Sequence, residues 1–351
     1  MSDSIGVAII GCGVIAPAHI ESYGRLPGVT VRALCDLDIA KAKTLGHEYG
    51  ITEALQDAES LWTRSDIQAV SVCTDHASHA PLVIAALQAG KHVLCEKPLA
   101  ISPEQLDGME AAARAAPHLV ATGVLQHRFD AIFLWVRGVV RSGRLGELLF
   151  TQGSLLCQRP DAYYAESPWR GRLASEGGSL LINQAIHFLD LQQWIGGGVA
   201  EVMATMGNRG HPGLIETEDT ASLSFRLRDG AMGSFAASSA AHAVWDFSLS
   251  FCGTKGTLTV RNGHLAEANF SDRQLTENLK QEAHALEEAE RVEAAKLHYG
   301  PSHPRQIADF IDAIRSGRSP AIPLAEARKA NDFVLAAYAS ARSGKQLTLE
   351  A

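Results

Sequence analysis

The sequence predicts an α/β fold, with an N-terminal doubly wound parallel sheet and a second, α+β domain that contains a mostly antiparallel open sheet. In the first third of the chain, short β-branched runs alternate with amphipathic helical segments, which is typical of a parallel sheet covered by helices. A glycine-rich turn follows the first run, and beyond residue 123 strands of alternating polarity replace the earlier pattern. We therefore predict two domains, residues 1–123 and residues 124–351.

The first domain is predicted to contain five strands, each a short apolar run bounded by turn residues. Ligands of such sheets bind outside the carboxyl ends of the strands, so the residues that directly follow each run are the first candidates for a site. The predicted strands are Gly6–Ile10, Thr30–Cys35, Ala69–Cys73, His92–Cys95 and Leu119–Thr122, and the clearest helices are Pro81–Ala89 and Pro103–Ala115.

The second domain is predicted to begin with a helix over Ala131–Ser142. Turns at Asp229-Gly230 and Thr254-Lys255-Gly256 fit hairpins between neighbouring strands. The alanine-rich, charged segment Ala266–Ala295 is predicted to form a solvated surface helix. The predicted strands are Glu147–Leu156, Val199–Met206, Thr220–Arg228, Ala231–Ser238 and Asp246–Cys252.

The turn after the first strand has the spacing of a dinucleotide-binding site. Gly11 permits a tight turn, Gly13 lets the backbone approach a pyrophosphate, and Ala16 is small enough for close packing of the next helix. Val14 and Ile15 complete the turn at a helix N-terminus, whose N–H groups favour phosphate, and we predict that they contact the cofactor with the two glycines. Such a hexapeptide also occurs in ordinary glycine turns, but the following strand favours a Rossmann-type domain.

That second strand, Thr30–Cys35, ends at Asp36, near the spacing of roughly 20 residues at which an acid binds the ribose 2′-hydroxyl. Leu37 follows in place of an arginine or a serine, so no neighbouring side chain neutralises a 2′-phosphate. Because a carboxylate repels a phosphate, the sequence favours NAD over NADP, with Asp36 and Leu37 among the cofactor contacts.

The composition excludes several function classes. The net charge is −8 and no basic stripe is present, which excludes electrostatic binding to nucleic acids or anionic membranes. No apolar stretch reaches about 18 residues and no basic, apolar leader precedes the first strand, so we expect a cytoplasmic protein. The six cysteines contain no C-x-x-C pair and are predicted to be reduced core residues.

Lys97 is the first catalytic candidate. It follows the strand His92–Cys95, at the edge of the sheet where a nicotinamide ring and its substrate would meet. An ammonium group there can hydrogen-bond a substrate hydroxyl or share its proton, and Pro98 restricts the lysine backbone to an extended conformation. The alternative is an exposed turn that carries an ordinary Glu-Lys pair.

A second group of candidates lies in the apolar run after Gly177-Gly178. Asn183, His187 and Asp190 are spaced by four and three residues, which places them on one face of a helix. A histidine is suited to taking a proton from an alcohol, and a neighbouring carboxylate can orient it. A lone histidine on an apolar helix is otherwise a hydrogen-bonded core residue, and the two interpretations remain open.

These motifs stand in the order that is characteristic of the Gfo/Idh/MocA oxidoreductases, and the chain resembles this family over essentially its whole length. The resemblance implies an N-terminal Rossmann domain, and a C-terminal domain whose open sheet often builds a dimer or tetramer. It also implies oxidation or reduction of a secondary alcohol on a sugar or cyclitol. The matching segments are Gly11–Ala16, Asp36, Cys73-Thr74, Glu96-Lys97-Pro98, Gly123–Phe129, Gly177–Asp190, His303–Arg318 and Pro323–Lys345.

By resemblance, Lys97 corresponds to the family's catalytic lysine and His187 to its catalytic histidine. Many relatives carry an aspartate four residues before the histidine, where this chain has Asn183. Since an amide does not accept a proton as a carboxylate does, proton transfer falls to His187 with Lys97, and Asp190 is expected to orient the imidazole.

The remaining predicted contacts belong to segments that carry the resemblance. The segment Trp169-Arg170-Gly171 is similar to one in members that act on sugar nucleotides, where an arginine can bind phosphate and a tryptophan can stack on a ring. A loop anchor is the alternative there, as capping or packing is for His79. We predict cofactor contacts for Thr74, His79, Glu96, Lys97, Trp169 and Arg170, and substrate contacts for Lys97, Gln126, Arg128, Tyr163, Asn183 and His187.

The sequence thus predicts an NAD-dependent dehydrogenase or reductase for a sugar, sugar acid, nucleotide sugar or cyclitol, active as a homodimer or homotetramer. Two alternatives are known among relatives: a glycosidase that retains NAD and oxidises its substrate transiently, and a non-catalytic sensor of the same fold. A sensor is expected to lose the lysine or the histidine, and both are present here. No histidines and carboxylates are grouped with metal-ligand spacing, so no metal is expected.

Overall fold

The computed structural model describes residues 4–294 and 300–350. A 3₁₀ helix covers Gln126–Phe129 and a π-helix covers Leu180–Ala185. The strands of the described part are β1 Ile5–Ile10, β2 Val29–Cys35, β3 Ala54–Leu55, β4 Ala69–Val72, β5 His92–Cys95, β6 Ala121–Gly123, β7 Leu148–Gln158, β8 Val199–Gly207, β9 Thr220–Leu227, β10 Met232–Ser238, β11 Ala240–Gly253, β12 Gly256–Arg261, β13 His264–Phe270 and β14 Leu347–Thr348. The α-helices are α1 Ala16–Gly24, α2 Ile39–Tyr49, α3 Glu59–Trp62, α4 His76–Gln88, α5 Pro103–Ala115, α6 Ala131–Arg141, α7 Asp161–Ala165, α8 Ile186–Gly196, α9 Arg273–Ala294, α10 Ser302–Ser316 and α11 Leu324–Ser343.

The chain forms two compact units. Unit 1 joins the chain up to Gln126 with the segment that ends at Arg328, and unit 2 contains His127 onward together with Lys329 onward. None of the helices in the described part is long and apolar enough to cross a membrane.

Unit 1 contains the predicted parallel sheet. Its strand order is β3-β2-β1-β4-β5-β6, and β1 pairs in parallel with both β2 and β4. The doubly wound α/β prediction is therefore confirmed, and the strand bounds agree with the structure to within two residues. The predicted start of a helix at Pro81 is wrong, because α4 begins at His76 and Pro81 lies inside it. Residues that follow β1, β2, β4 and β5 lie at the carboxyl edge of this sheet, where ligands of such folds bind.

Helix α10 belongs to unit 1, so the single predicted boundary at residue 123 does not describe the division of the chain. Its apolar residues Ile307, Phe310 and Ile311 recur at helical spacing and are buried in one cluster with Ile20 and Tyr23 of α1. Burial of this face draws residues far along the chain back to the first sheet, a long-range event that local patterns do not reveal.

Unit 2 is built on an eight-stranded sheet with the order β13-β12-β11-β7-β10-β9-β8-β14. Its pairs are antiparallel except for β7 with β10, so the predicted mostly antiparallel sheet is confirmed. Strands β12, β13 and β14 of this unit, and β3 of unit 1, were not among the predicted strands. The helix predicted from Ala266 begins instead at Arg273, as α9. Asn262 and Gly263 both have positive φ, 51° and 83°, and turn β12 into β13. Residue 295, the last of that predicted helix, lies outside the described residues.

The run after Gly177-Gly178 is not one regular α-helix. It begins as the π-helix Leu180–Ala185 and continues as α8. The N–H of Leu181 donates to the buried carboxylate of Glu218 at 2.8 Å, and the N–H of Ile182 donates to the hydroxyl of Tyr338 at 3.2 Å. Two side chains thus satisfy N–H groups that begin the helix. Because a π-turn offsets the side chains, regular helical spacing does not describe the directions of Asn183, His187 and Asp190.

Candidate active site

The turn after β1 has the shape that a pyrophosphate requires. Gly11 has φ +96°, and a Cβ added there would lie 2.4 Å from the carbonyl oxygen of Cys73, so only glycine fits. A Cβ on Gly13 would meet no atom within 4 Å, which leaves open space over the turn. Val14 is 76% exposed at this open edge, and Ala16 is buried at the start of α1.

Asp36 is held at the end of β2 by the backbone. Its Oδ2 accepts the N–H of Cys12 at 2.8 Å, and its Oδ1 accepts the N–H of Asp38 at 2.8 Å. The adjacent Leu37 is 84% exposed and uncharged. A fixed carboxylate at this edge suits a ribose diol, and no cation stands at position 37 to receive a phosphate.

Lys97 follows β5 in a loop that two buried side chains support. Its backbone N–H donates to Oε2 of Glu96 at 3.2 Å, and its peptide bond to Pro98 is cis. His79 Nδ1 lies 2.7 Å from the carbonyl oxygen of Pro98, and Nε2 lies 3.2 Å from that of Thr74. The loop that carries Lys97 is therefore fixed from inside unit 1.

Glu96 joins two histidines in the interior of unit 1. Its Oε1 lies 2.9 Å from Nε2 of His19 and 3.5 Å from Nε2 of His303. Burial disfavours the charged carboxylate, but hydrogen bonds from both histidines outweigh that effect and hold the pKa of Glu96 well below its usual range. The three donor atoms lie within 4.8 Å of one another, as in some metal sites. Hydrogen bonding to one shared oxygen accounts for this grouping without an ion.

In unit 2, His187 lies beside a second histidine. The rings of His127 and His187 meet edge to face with centroids 5.1 Å apart, and Nδ1 of His127 lies 2.7 Å from Oδ2 of Asp130. His187 itself is largely buried, and its Nδ1 atom is buried completely. A carboxylate thus orients the imidazole that packs on His187.

Asn183 and Gln184 lie next to Tyr163 in unit 2. Nε2 of Gln184 donates to the Tyr163 hydroxyl at 3.1 Å, and Nδ2 of Asn183 lies 3.4 Å from it. Burial raises the pKa of Tyr163, which keeps the hydroxyl protonated at neutral pH. Since the amides direct N–H groups at its oxygen, Tyr163 is set to donate its own proton.

Two arginines stack on the ring of Tyr163. The guanidinium carbon of Arg170 lies 4.0 Å from the ring centroid, and that of Arg159 lies 5.0 Å from it. Trp169 and Trp245 each lie beside one of these cations, at 5.7 and 5.2 Å respectively. The region therefore combines aromatic surface with positive charge.

Comparison with known proteins identifies this arrangement. A profile described as an oxidoreductase family with an NAD-binding Rossmann fold matches residues 5–124, and one described as the GFO/IDH/MocA C-terminal domain matches residues 133–259. Inositol 2-dehydrogenase 2 of Paenarthrobacter aurescens is 31% identical over 239 residues, which are 65% of this chain and 67% of that protein. The chain belongs to the Gfo/Idh/MocA family.

Other Gfo/Idh/MocA relatives are similar over nearly their whole length. Myo-inositol 2-dehydrogenase of Thermotoga maritima is 25% identical, over 96% of this chain and 95% of that protein. The crystal structure of WlbA dehydrogenase from Bordetella pertussis in complex with NADH and UDP-GlcNAcA has a TM-score of 0.87 and 25% identity, over 99% of each chain. The protein is an NAD-dependent oxidoreductase, with unit 1 as its NAD-binding domain.

Two predicted cofactor contacts of this Gfo/Idh/MocA chain need correction. His79 is fully buried, and both ring nitrogens lie at backbone carbonyl oxygens of its own loops, so it supports the turn instead of binding NAD. Burial also lowers the pKa of His79, and this effect outweighs the hydrogen bonds to those two carbonyl oxygens, which act to raise the pKa. Glu96 likewise turns inward to His19 and His303. Trp169 and Arg170 lie in unit 2, where Arg170 stacks on Tyr163 and lies 5.7 Å from the ring of Trp169, and their predicted cofactor contacts stay predictions.

Asp190 does not orient His187 as predicted. Its two carboxylate oxygens accept hydrogen bonds from Nε and Nη2 of Arg128, at 2.8 and 2.6 Å, and both side chains are almost fully buried. A bidentate pair of this kind uses both partners structurally. Arg128, predicted to contact substrate, therefore anchors α8 through Asp190. His127 and Asp130 were not among the predicted site residues, although their i, i+3 spacing was a signal for a paired imidazole.

We expect Asp36→Ala to raise the KM for NAD about tenfold to a hundredfold, because hydrogen bonds from the ribose hydroxyls to a charged oxygen contribute about 1.5–3 kcal/mol. The same change removes the repulsion of a 2′-phosphate, so the preference for NAD over NADP should fall by a larger factor. Steady-state kinetics with both cofactors measure this ratio. Asp38→Asn, which keeps a cap for α2, is the matched control, and an unchanged ratio in Asp36→Ala would contradict the assignment.

Proposed function

We propose that the protein oxidises, or in reverse reduces, a secondary alcohol of a sugar, sugar acid, nucleotide sugar or cyclitol. The observation that carries this proposal is the cluster of hydroxyl-binding groups in unit 2, formed by Asn183, Gln184 and Tyr163. Asn183 and Gln184 belong to the π-helix that leads into α8, the helix that carries His187. The names of relatives, which include inositol, D-glucoside and levoglucosan dehydrogenases, support the same substrate range.

In this proposal the chain supplies proton handling and orientation. Bound NAD supplies the hydride acceptor. His187 takes the hydroxyl proton at Nε2, since its Nδ1 is buried, and His127 with Asp130 keeps the imidazole in place. Lys97 Nζ hydrogen-bonds the oxygen that becomes a ketone. Gln126 has a buried Oε1 that accepts no hydrogen bond from the described residues, which is consistent with a role in binding ligand.

Within this substrate range we propose an anionic carbohydrate, a sugar acid or a nucleotide sugar. Arg159 donates to Oε1 of Gln184 at 2.6 Å, and Arg170 donates to the carbonyl oxygen of Tyr163 at 2.7 Å. Arg170 also pairs with the exposed Glu166, at the longer distance of 3.9 Å. The Nε atom of each arginine is buried without a hydrogen-bond partner among the described residues. Guanidinium groups with spare donors suit a carboxylate or phosphate. The UDP-GlcNAcA bound to WlbA dehydrogenase has both kinds of group.

The test is the change in nicotinamide absorbance with NAD or NADP against a panel of free sugars, inositols, sugar acids and nucleotide sugars. Reduction of NAD by an acidic member, lost in Lys97→Ala and weakened in Arg170→Gln, is the expected result. Turnover of neutral sugars alone would overturn the anionic substrate. Tightly retained NAD without any NADH formation would instead favour the glycosidase or the sensor.

We also propose a homodimer or homotetramer formed through the outer face of the eight-stranded sheet. Met203, Met232 and Leu156 are exposed on this face, among serines and threonines that neighbouring strands place beside them. A flat face of small residues with exposed apolar side chains is suited to a second copy of itself. Light scattering should give a multiple of the 37.5 kDa chain mass, and Met232→Glu should lower it. A monomeric wild-type protein would contradict the proposal.

A further inference from the structure

Glu176 is a buried acid that the proposed chemistry does not use. It stands just before Gly177-Gly178, and its side chain is fully buried. Its Oε2 accepts the backbone N–H of Gly171, and its Oε1 accepts a hydrogen bond from Nδ2 of Asn183 at 2.6 Å. Removing a carboxylate from water is costly unless hydrogen bonds replace the lost hydration, and here N–H donors face both oxygens.

This contact decides how the amide of Asn183 is turned. A carboxylate only accepts hydrogen bonds, whereas an asparagine side chain has one donor end and one acceptor end. Glu176 therefore selects the Nδ2 end of Asn183, and the hydroxyl of Tyr163 lies near the same nitrogen, at 3.4 Å. The carbonyl oxygen Oδ1 consequently points away from Glu176.

We propose that Glu176 is a positioning residue that fixes the Asn183 amide so that Oδ1 accepts a hydrogen bond from a substrate hydroxyl. The proposal rests on the proposed function, because it assigns a role toward that alcohol substrate. It makes Asn183 a specificity residue that selects ligands with a hydroxyl donor at this point and disfavours analogues that lack it. A site built to pair a hydroxyl discriminates strongly against such analogues, since its own polar group is then left unpaired.

The first variant is Glu176→Gln, which keeps the size of the side chain. The N–H of Gly171 must be accepted by the new amide oxygen, so the new amide nitrogen faces Asn183. The side-chain amide of Asn183 then flips, so that its oxygen accepts a hydrogen bond from the introduced glutamine and its N–H groups face the substrate. We expect KM to rise about tenfold to a hundredfold, the equivalent of one lost hydrogen bond to a buried group, while kcat falls less. Glu267→Gln, at an exposed glutamate of β13, is the matched control and should stay near wild type.

The second experiment exchanges the carboxylate and the amide between positions 176 and 183. Asn183→Asp alone places two carboxylates in hydrogen-bond contact, where both do not ionise together, and it should lower activity. In the double variant E176Q/N183D, the introduced glutamine amide donates to the introduced aspartate carboxylate, whose other oxygen again accepts from the substrate. The double variant should therefore exceed both single variants in kcat/KM. A double variant no better than the worse single variant, or a Glu176→Gln enzyme with wild-type KM, would overturn the proposal.

A measurement without turnover separates this proposal from the proposed function. In protein labelled with 15N-asparagine, the Asn183 side-chain amide signal is assigned by its loss in Asn183→Asp. A hydrogen bond to a buried carboxylate should shift one of its protons downfield and slow its exchange, and Glu176→Gln should abolish both effects. If the Asn183 side-chain amide signal is the same in the wild-type protein and in Glu176→Gln, the positioning role is refuted, even if a member of the substrate panel is turned over. If Glu176→Gln changes this signal as expected but no member of the substrate panel is turned over, the positioning role of Glu176 is supported and only the substrate assignment is refuted.

Discussion

Lys97→Ala should lower kcat by about a hundredfold to ten-thousandfold, the range that one positioned proton-transfer or oxyanion-binding group contributes. The reason is local. The backbone of Lys97 is fixed by Glu96, and the following Pro98 is held by His79, so the lysine side chain starts from a rigid loop at the carboxyl end of β5. We expect removal of the ammonium to leave this loop intact and to remove the group that, in our proposal, holds the substrate oxygen.

Thermal stability should therefore stay near its wild-type value in Lys97→Ala, and NADH affinity should fall only by the single contact that we predict for Lys97, while turnover is lost. Fluorescence titration with NADH and a thermal melt check both. Lys43→Ala, at an exposed lysine of α2, removes the same group without an expected effect on rate. If Lys97→Ala kept at least a tenth of the wild-type kcat, the catalytic role of Lys97 would be refuted.

The parts of the fold that follow from neighbours in sequence were predictable. Strand β5 and helix α5 have the predicted bounds, because an apolar run and a proline at a helix start act within a few residues. The glycine turn after β1 was predictable for the same reason, since the conformation of Gly11 is set by the turn itself. Such local signals identified the NAD-binding half of the chain.

The partners of the site residues were less predictable, because sequence periodicity predicts which residues share one face of a helix but not which residues pack against that face. Asp190 was expected to orient His187, yet it pairs with Arg128, which is 62 positions away in sequence. No local pattern in the sequence indicates a role for Glu176, and only the fold buries it against Asn183. The same limit applies to Glu96, whose partners His19 and His303 come from helices at opposite ends of the chain.

His187→Asn should lower kcat by about a hundredfold to ten-thousandfold as well, but with a different signature. An asparagine still forms hydrogen bonds but does not take a proton. The loss of activity toward low pH, which reports an essential base, should therefore disappear from the kcat/KM profile of alcohol oxidation. His264→Asn, at a histidine whose side chain is 69% exposed, is the control and should keep the wild-type profile.

Chemical rescue then distinguishes a base from a structural residue. His187 packs against His127, which Asp130 holds at 2.7 Å, so His187→Ala opens a space bordered by an imidazole that is already fixed. Added imidazole should enter this space and restore part of kcat, in proportion to its neutral fraction. A His187 that only filled space would be replaced as well by benzene-sized apolar molecules, and rescue by these would refute the role as proton acceptor. Rescue of His187→Ala without rescue of Lys97→Ala would assign the proton to the histidine and the substrate oxygen to the lysine.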